Sequence, residues 1–314
     1  MAIVPTAPLT ALLLLCAWSA QAGEAVPDAT ATRSHIDRLL GGHGTVQQPG
    51  TLGLLHDAVQ LAITVGAPAY NNGDLRGCSD FYATTASSLI TALGDGKSAS
   101  PAALLGLADL RAAMHRGGSG DDPQRRAWAM RLAFDQISVS WSLLIQHGEQ
   151  LGKLGAEYFH RGDYDDAEVA YGETQQDFEE VRGESLPGSA AALRLSHLLH
   201  AQALLEQGRF APAAALVAGH CDAILELRKV DIDLHALYGN TLDLDRTLLD
   251  LERAADDQAR DADLRFLFGY QLWFCGRHEE AQRQFAQTLA LKPRHPAALL
   301  FQAQSETSVT PVVP

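Results

Sequence analysis

Three groups of residues in this chain have the types that chemistry needs. Cys78 follows the polar segment Asn71-Asn72-Gly73-Asp74, with Arg76 close by. A cysteine is nucleophilic as the thiolate, and a histidine or cation beside it must lower its pKa. Arg76 is the one such group near Cys78 in sequence, and no histidine is local. Second, His197-x-x-His200 puts two imidazoles one turn apart on a helix face, a spacing zinc can use, with His220 able to approach. No third or fourth ligand follows at a recognised spacing. Third, Asp163-Tyr164-Asp165-Asp166-Ala167-Glu168 imitates the start of a calcium loop. Glu168 stands where that loop needs glycine and Thr174 where it needs its bidentate glutamate. Asp163 is expected instead to cap a helix. The chain has no phosphate-binding glycine loop, no dinucleotide fingerprint, no Gly-x-Ser-x-Gly and no Cys-x-x-Cys. The expectation is a protein that is not an enzyme, with no cofactor and no metal site, and with Cys78 as a buried structural thiol.

The elements that would carry these residues are helical. Ala, Leu, Glu, Gln and Arg dominate, and no six-residue stretch alternates like a strand. Apolar residues recur at helical spacing in WAMRLAFDQISVSWSLLI and in LRFLFGYQLWF. Ser100-Pro101 and Asp122-Pro123 each place a capping residue before a proline at the first helical position. The second of these helices is expected to run to about His147. Residues 23–50 are polar and rich in small side chains, which predicts a linker with a short helix at His35–Leu40; residues 305–314 predict a disordered tail.

The first 22 residues look like a secretory signal, with an apolar run from Ala11 to Trp18 and the small-x-small pattern Ala20-Gln21-Ala22. The run is too short to span a bilayer, which takes about 20 residues. Cleavage after Ala22 would leave 292 of the 314 residues, in the periplasm or outside the cell. A net charge of −14 argues against binding nucleic acid or an anionic membrane, both of which need a cationic surface. Cys78, Cys221 and Cys275 remain after cleavage, an odd number and too few for a disulfide scaffold, although one bridge stays open.

A spacing then recurs along the chain. Gly73, Gly162, Gly208 and Gly276 are each followed five residues on by a small residue: Cys78, Ala167, Ala213 and Ala281. Four residues further stand Tyr82, Tyr171, Val217 and Phe285, and seven before each glycine stand Gly66, Gly155, Ala201 and Gly269. This pattern resembles the tetratricopeptide repeat, a helix–turn–helix unit of about 34 residues. The resemblance places units at 262–295, 148–181 and 194–227, a degenerate unit at 228–261 with Leu242 in place of the turn glycine, and a divergent one at 59–92. Pro68 falls inside the first helix of that last unit, where proline costs about 3 kcal/mol or kinks the helix. Small residues stand where helices cross closely, a glycine turns the chain, and aromatics fill the space left. One unit cannot bury its own apolar face, so neighbours must stack.

The fold expected is therefore all-α, a helical-hairpin solenoid: a helical region at 51–147 with one divergent repeat, then a repeat array at 148–304. The resemblance implies a concave inner face lined by Phe266, Tyr270, Trp273 and Phe274 in the last unit. Phe159 and His160, Gln202 and Glu206, and Tyr70 and Asn71 take the corresponding places in the others. Read this way, the aromatics anchor a protein or peptide partner of the bacterial cell envelope. The competing reading is that they pack on neighbouring units or on a helix near Pro296–Gln304. Two further alternatives stay open: a metal-binding or enzymatic accessory protein using His197, His200 and the thiols, and a solenoid that self-associates.

Overall fold

The computed structural model describes residues 28–41, 50–94, 100–118, 122–184, 187–220 and 234–302. The signal at 1–22, Cys221 and the tail at 305–314 lie outside them. The fold is all-α. Among the described residues there are twelve α-helices, one 3-10 turn and no strand. They are α1 (Ala29–Gly41), α2 (Thr51–Asn71), α3 (Leu75–Leu93), α4 (Pro101–Gly118), α5 (Pro123–Arg161), α6 (Tyr164–Val181), α7 (Pro187–Glu206) and α8 (Phe210–Gly219). The 3-10 turn Leu234–Leu237 follows, then α9 (Thr241–Asp257), α10 (Ala262–Phe274), α11 (His278–Leu291) and α12 (Pro296–Gln302).

Four tight turns join antiparallel neighbours: α2 to α3, α5 to α6, α7 to α8 and α10 to α11. Each turns on a glycine at positive φ, namely Gly73, Gly162, Gly208 and Gly276, and among the described residues no non-glycine has positive φ. A side chain there would meet the carbonyl of the left-handed conformation, so these four positions select glycine. The residues five further on, Cys78, Ala167, Ala213 and Ala281, are all buried to within 1 %.

The crossing of each hairpin explains the remaining small residues. A Cβ added to Gly155 would sit 2.7 Å from Cε1 of Tyr171, and one on Gly269 would sit 2.7 Å from Cε1 of Phe285. The rings of Tyr82, Tyr171 and Phe285 thus press against the glycines Gly66, Gly155 and Gly269 of the preceding helix. In the hairpin of α7 and α8 the corresponding pair is Ala201 and Val217, both fully buried.

Among the described residues there are two apolar cores. One gathers Ile36, the buried residues of α2 to α4, the first half of α5, and Phe178, Val181 and Leu193. The other runs from Phe159 to Phe301. Helix α2 lies at the centre of the first and packs on α1, α3, α4, α5 and α6. Its residues 52–59 are buried without a break. By length and composition it is the one described helix that could cross a membrane; here most of it is covered by protein.

Three features depart from expectation. Helix α5 does not stop near His147 but continues to Arg161, 39 residues from its start at Pro123. Gly148, Gly152 and Gly155 do not break it, because they face α6 and let it approach. The helix thereby serves both cores, through Met130, Phe134 and Ile137 at one end and Phe159 at the other. Helix α1 is longer than the short segment expected: Asp28 Oδ1 accepts from the Thr30 amide, and Ile36 and Thr32 are buried. Asp163 stands at the start of α6 but caps nothing through its side chain, which lies 3.5 Å from Arg161. Asp74, by contrast, accepts from the Gly77 amide and Asp122 from two amides of α5. Pro68 lies in the last turn of α2, where its missing amide leaves only the Thr64 carbonyl without a helical donor, and the helix continues to Asn71.

Candidate functional site

The aromatic stripe expected to line a groove lies in the core instead. Phe266, Tyr270 and Phe274 are buried, and Trp273 is half-buried. Helix α12 lays Phe301 over Phe266, Tyr270 and Trp273, and Phe274 packs on Tyr270. Phe301 stacks on Phe285 with centroids 4.6 Å apart and meets Trp273 edge-on at 5.2 Å. His295, fully buried at the start of α12, lies 4.7 Å from the Phe266 ring. The competing reading, packing on neighbouring units or on the C-terminal helix, describes the burial of these residues. His160 and Asn71 are exposed at the surface, away from any such stripe.

Phe159, Gln202 and Glu206 come together, but around a residue that sequence reasoning passed over. Tyr238 packs edge-on to Phe159 at 4.9 Å. Its hydroxyl donates to Glu206 Oε1 at 2.7 Å and lies 3.5 Å from Gln202 Oε1. Thr247 Oγ1 donates to Glu206 Oε2 at 3.0 Å, and Arg246 stands 3.8 Å from the same oxygen. The Glu206 side chain has no exposed surface. Burial pushes its carboxyl up to about 7, against the lowering effect of Tyr238, Thr247 and Arg246. A carboxyl group held by two hydroxyls thus ties α7 to Tyr238, just after the 3-10 turn, and to α9. Tyr238 stands in the degenerate unit at 228–261, where no spacing singled it out.

Of the other candidate groups, Cys78 and His197 are buried, while His200 and His220 keep some exposure. Cys78 is 1 % exposed, and burial pushes its thiol up from the ordinary range. That is opposite to what a nucleophile needs. His197 is buried and stacks face to face on His220, with centroids 3.6 Å apart and planes 22° apart. His220 Nδ1 donates to the Leu216 carbonyl at 2.8 Å. Stacked rings direct their in-plane lone pairs side by side, not at a common point. His200 turns instead to Gln175 at 3.2 Å and Glu168 at 3.7 Å. Among the described residues, no group of three or more His, Cys, Asp or Glu is arranged to hold a metal ion. Burial, then His220, His200 and Arg182, push His197 down to about 4, so the stacked ring is neutral at pH 7.

What the surface does offer is on α5. Trp128 donates from Nε1 to the Tyr70 hydroxyl at 2.9 Å, and the rings meet edge-on at 6.0 Å. Trp128, Leu132, Val139 and Leu143 are each half or more exposed. Their spacing of four, seven and four residues keeps all four on one side of a straight helix. Tyr70 was expected at a surface site; the α5 face beside it was not, although the spacing was there to be read. No family model matches the chain, and no curated protein matches it significantly.

Proposed function

We propose that this chain is a tetratricopeptide-like, non-catalytic scaffold of the bacterial periplasm or cell exterior that binds a protein or peptide partner. The observation that carries the reading is the recurrence of one crossing: a glycine turn at positive φ, a buried small residue five on, and a ring pressed against a glycine of the preceding helix. Three hairpins share the whole pattern and a fourth shares it with Ala201 and Val217. Docking is assigned away from the buried stripe of α10. It goes to the side of α5 where the Tyr70–Trp128 pair leads into Leu132, Val139 and Leu143. Apolar side chains aligned over about 22 Å, at 1.5 Å per residue, suit the apolar face of a partner helix.

The test is site-specific photocross-linking in cells. A photoreactive residue at Leu143 should give one discrete adduct, weakened by Trp128→Ala, while the same residue at Glu157 gives none. Identical products from both positions would sink the reading. An adduct of twice the chain's mass would make the partner a second copy.

A further inference from the structure

Helix α9 carries a second face that the other described residues leave uncovered. It buries Leu244, Thr247, Leu248, Leu251 and Ala255 against α10 and α7. On its outer side Leu242 is 70 % exposed and Leu249 53 %, and Asp245 and Glu252 are exposed between and beyond them. The order Leu242, Asp245, Leu249, Glu252 advances by three, four and three residues, so the four side chains form a single stripe. Beside this stripe lies a surface pocket of about 240 Å³, lined by Asp245, Leu248, Leu249, Glu252, Phe268 and Arg277. Phe268 is buried and, with Leu248, supplies an apolar wall.

The charges around the pocket do not cancel. Arg277 is already held by Glu280, with both guanidinium contacts under 2.8 Å. Asp245 and Glu252 make no direct ion pair among the described residues, and Glu252 acts on Arg277 only at longer range, behind the direct Glu280 contacts. Their positions are two helical turns apart, about 10.5 Å at 1.5 Å per residue. The whole chain adds to this bias, with 38 acidic against 24 basic residues. An acidic partner would be repelled, and an anionic lipid surface likewise. An uncharged apolar partner would leave two carboxylates desolvated and unpaired at the edge of the contact.

We propose that this face of α9 docks a basic amphipathic helix. Its apolar side chains cover Leu242 and Leu249 and fill the pocket, and its Lys or Arg residues, spaced about two turns apart, pair with Asp245 and Glu252. Such a helix satisfies both halves of the surface at once, and the carboxylates set which way it lies. The proposal rests on the scaffold reading only in taking a protein segment as the ligand; the face is on a different helix from the Trp128 stripe.

The experiment titrates the purified full chain into a fluorescent synthetic helix of Leu and Lys, repeating Leu-Lys-Lys-Leu-Leu-Lys-Leu, and follows anisotropy at physiological salt. A twin with Glu for every Lys serves as the acidic counterpart. The Lys helix should bind and the Glu helix should not. Asp245→Lys with Glu252→Lys should weaken binding tenfold or more, and Leu249→Ala at least threefold. The pair Glu157→Lys with Glu173→Lys, exposed on α5 and α6, changes net charge equally and should weaken binding less than twofold. All these positions are exposed, and circular dichroism checks that each variant is folded. Equal loss from both charge-reversed pairs would show diffuse attraction to an acidic protein and overturn the site. So would failure of the Lys helix to bind, or binding indifferent to Leu249→Ala. If that happens while the Leu143 cross-link survives, the scaffold stands and only this face falls; the reverse result removes the α5 site alone.

Discussion

Glu180 and Leu52, 128 positions apart in the chain, are joined by a 2.9 Å hydrogen bond from the Leu52 amide to Glu180 Oε1. The same oxygen accepts from Ser100 Oγ at 2.7 Å, and Ser100 Oγ in turn accepts from the Ala103 amide at 3.1 Å. One carboxyl at the end of α6 thus serves the first turns of both α2 and α4. These are helix ends where unpaired amides and the positive end of the dipole want an acceptor. The segment after it is clamped as well. Gly50 N donates to the Arg182 carbonyl at 2.9 Å, Trp141 Nε1 to the Val181 carbonyl at 3.0 Å, and the Glu184 amide to Asp57.

Removing the acceptor should separate the two halves of this junction. Glu180→Ala leaves the Leu52 amide and the Ser100 hydroxyl unsatisfied in a half-buried site, and should cost about 2–3 kcal/mol. Burial pushes the Glu180 carboxyl up, against the lowering effect of the Ser100 and Leu52 hydrogen bonds, so desolvation offsets part of what a charge would add there. Glu180→Gln keeps an acceptor oxygen and should cost under about 1 kcal/mol. Urea unfolding of the two variants checks this; equal losses would mean that the charge matters more than the acceptor.

Two glycines three residues apart in α5 should respond in opposite directions. Replacing a helix-interior glycine by alanine ordinarily stabilises by about 1 kcal/mol. Gly152 has only Thr174 nearby, at 3.8 Å, so Gly152→Ala should show that gain. At Gly155 the new methyl would meet the Tyr171 ring, which is 1 % exposed and has nowhere to move. Gly155→Ala should therefore lose about 1–3 kcal/mol. Shifts of melting temperature with opposite sign are the expected readout. A stabilised Gly155→Ala would contradict the close-crossing account of the hairpins.

That pair also marks what the amino-acid order made legible. The spacing from Gly155 to Gly162, Ala167 and Tyr171 predicts a hairpin, and the same spacing finds the other three turns, because close crossings and left-handed turns restrict residue type. Exposure is a different matter. Phe266 and Tyr270 have the types of binding anchors, but whether they face solvent depends on α12, which starts more than twenty residues later and whose own short sequence does not announce where it lies. Tyr238 and Glu206 meet only through tertiary packing. Trp128, Leu132, Val139 and Leu143 were legible as a stripe, yet a stripe on a helix usually faces the core, and only the fold shows that another side of α5 is the buried one.

Glu206 should make the protein less stable as the pH rises. Its carboxyl is raised in the folded state to about 7, above its ordinary 4.5 in the unfolded chain. The folded state therefore favours the protonated form, and its contribution is complete below about 4.5 and lost as the pH passes 7. Glu206→Gln keeps the Tyr238 contact without a charge to bury. Relative to wild type it should gain stability between pH 4.5 and 8, reaching about 2–3 kcal/mol at the upper end. Calorimetry of both proteins across that range tests it. A constant difference would show that Glu206 ionises normally.

His197 should act in the opposite direction. Its ring is held neutral down to about pH 4, while the unfolded chain takes up the proton near 6.5. Stability from this group is present above 6.5 and lost as the pH falls from 6.5 to 4, to a limit of about 3 kcal/mol. His197 Nδ1 is also buried without a partner. Phenylalanine fills the same place, keeps the face-to-face contact with His220 and removes both the proton site and the orphan nitrogen. His197→Phe should match or slightly exceed wild type at pH 8 and be clearly more stable at pH 4.5, flattening the acid limb. Adding zinc at pH 7.5 discriminates further. A ligand that used His197 would raise the wild-type melting temperature and not that of His197→Phe. The stacked, neutral pair predicts no shift in either, and a zinc-dependent rise confined to wild type would return these histidines to the list of metal ligands.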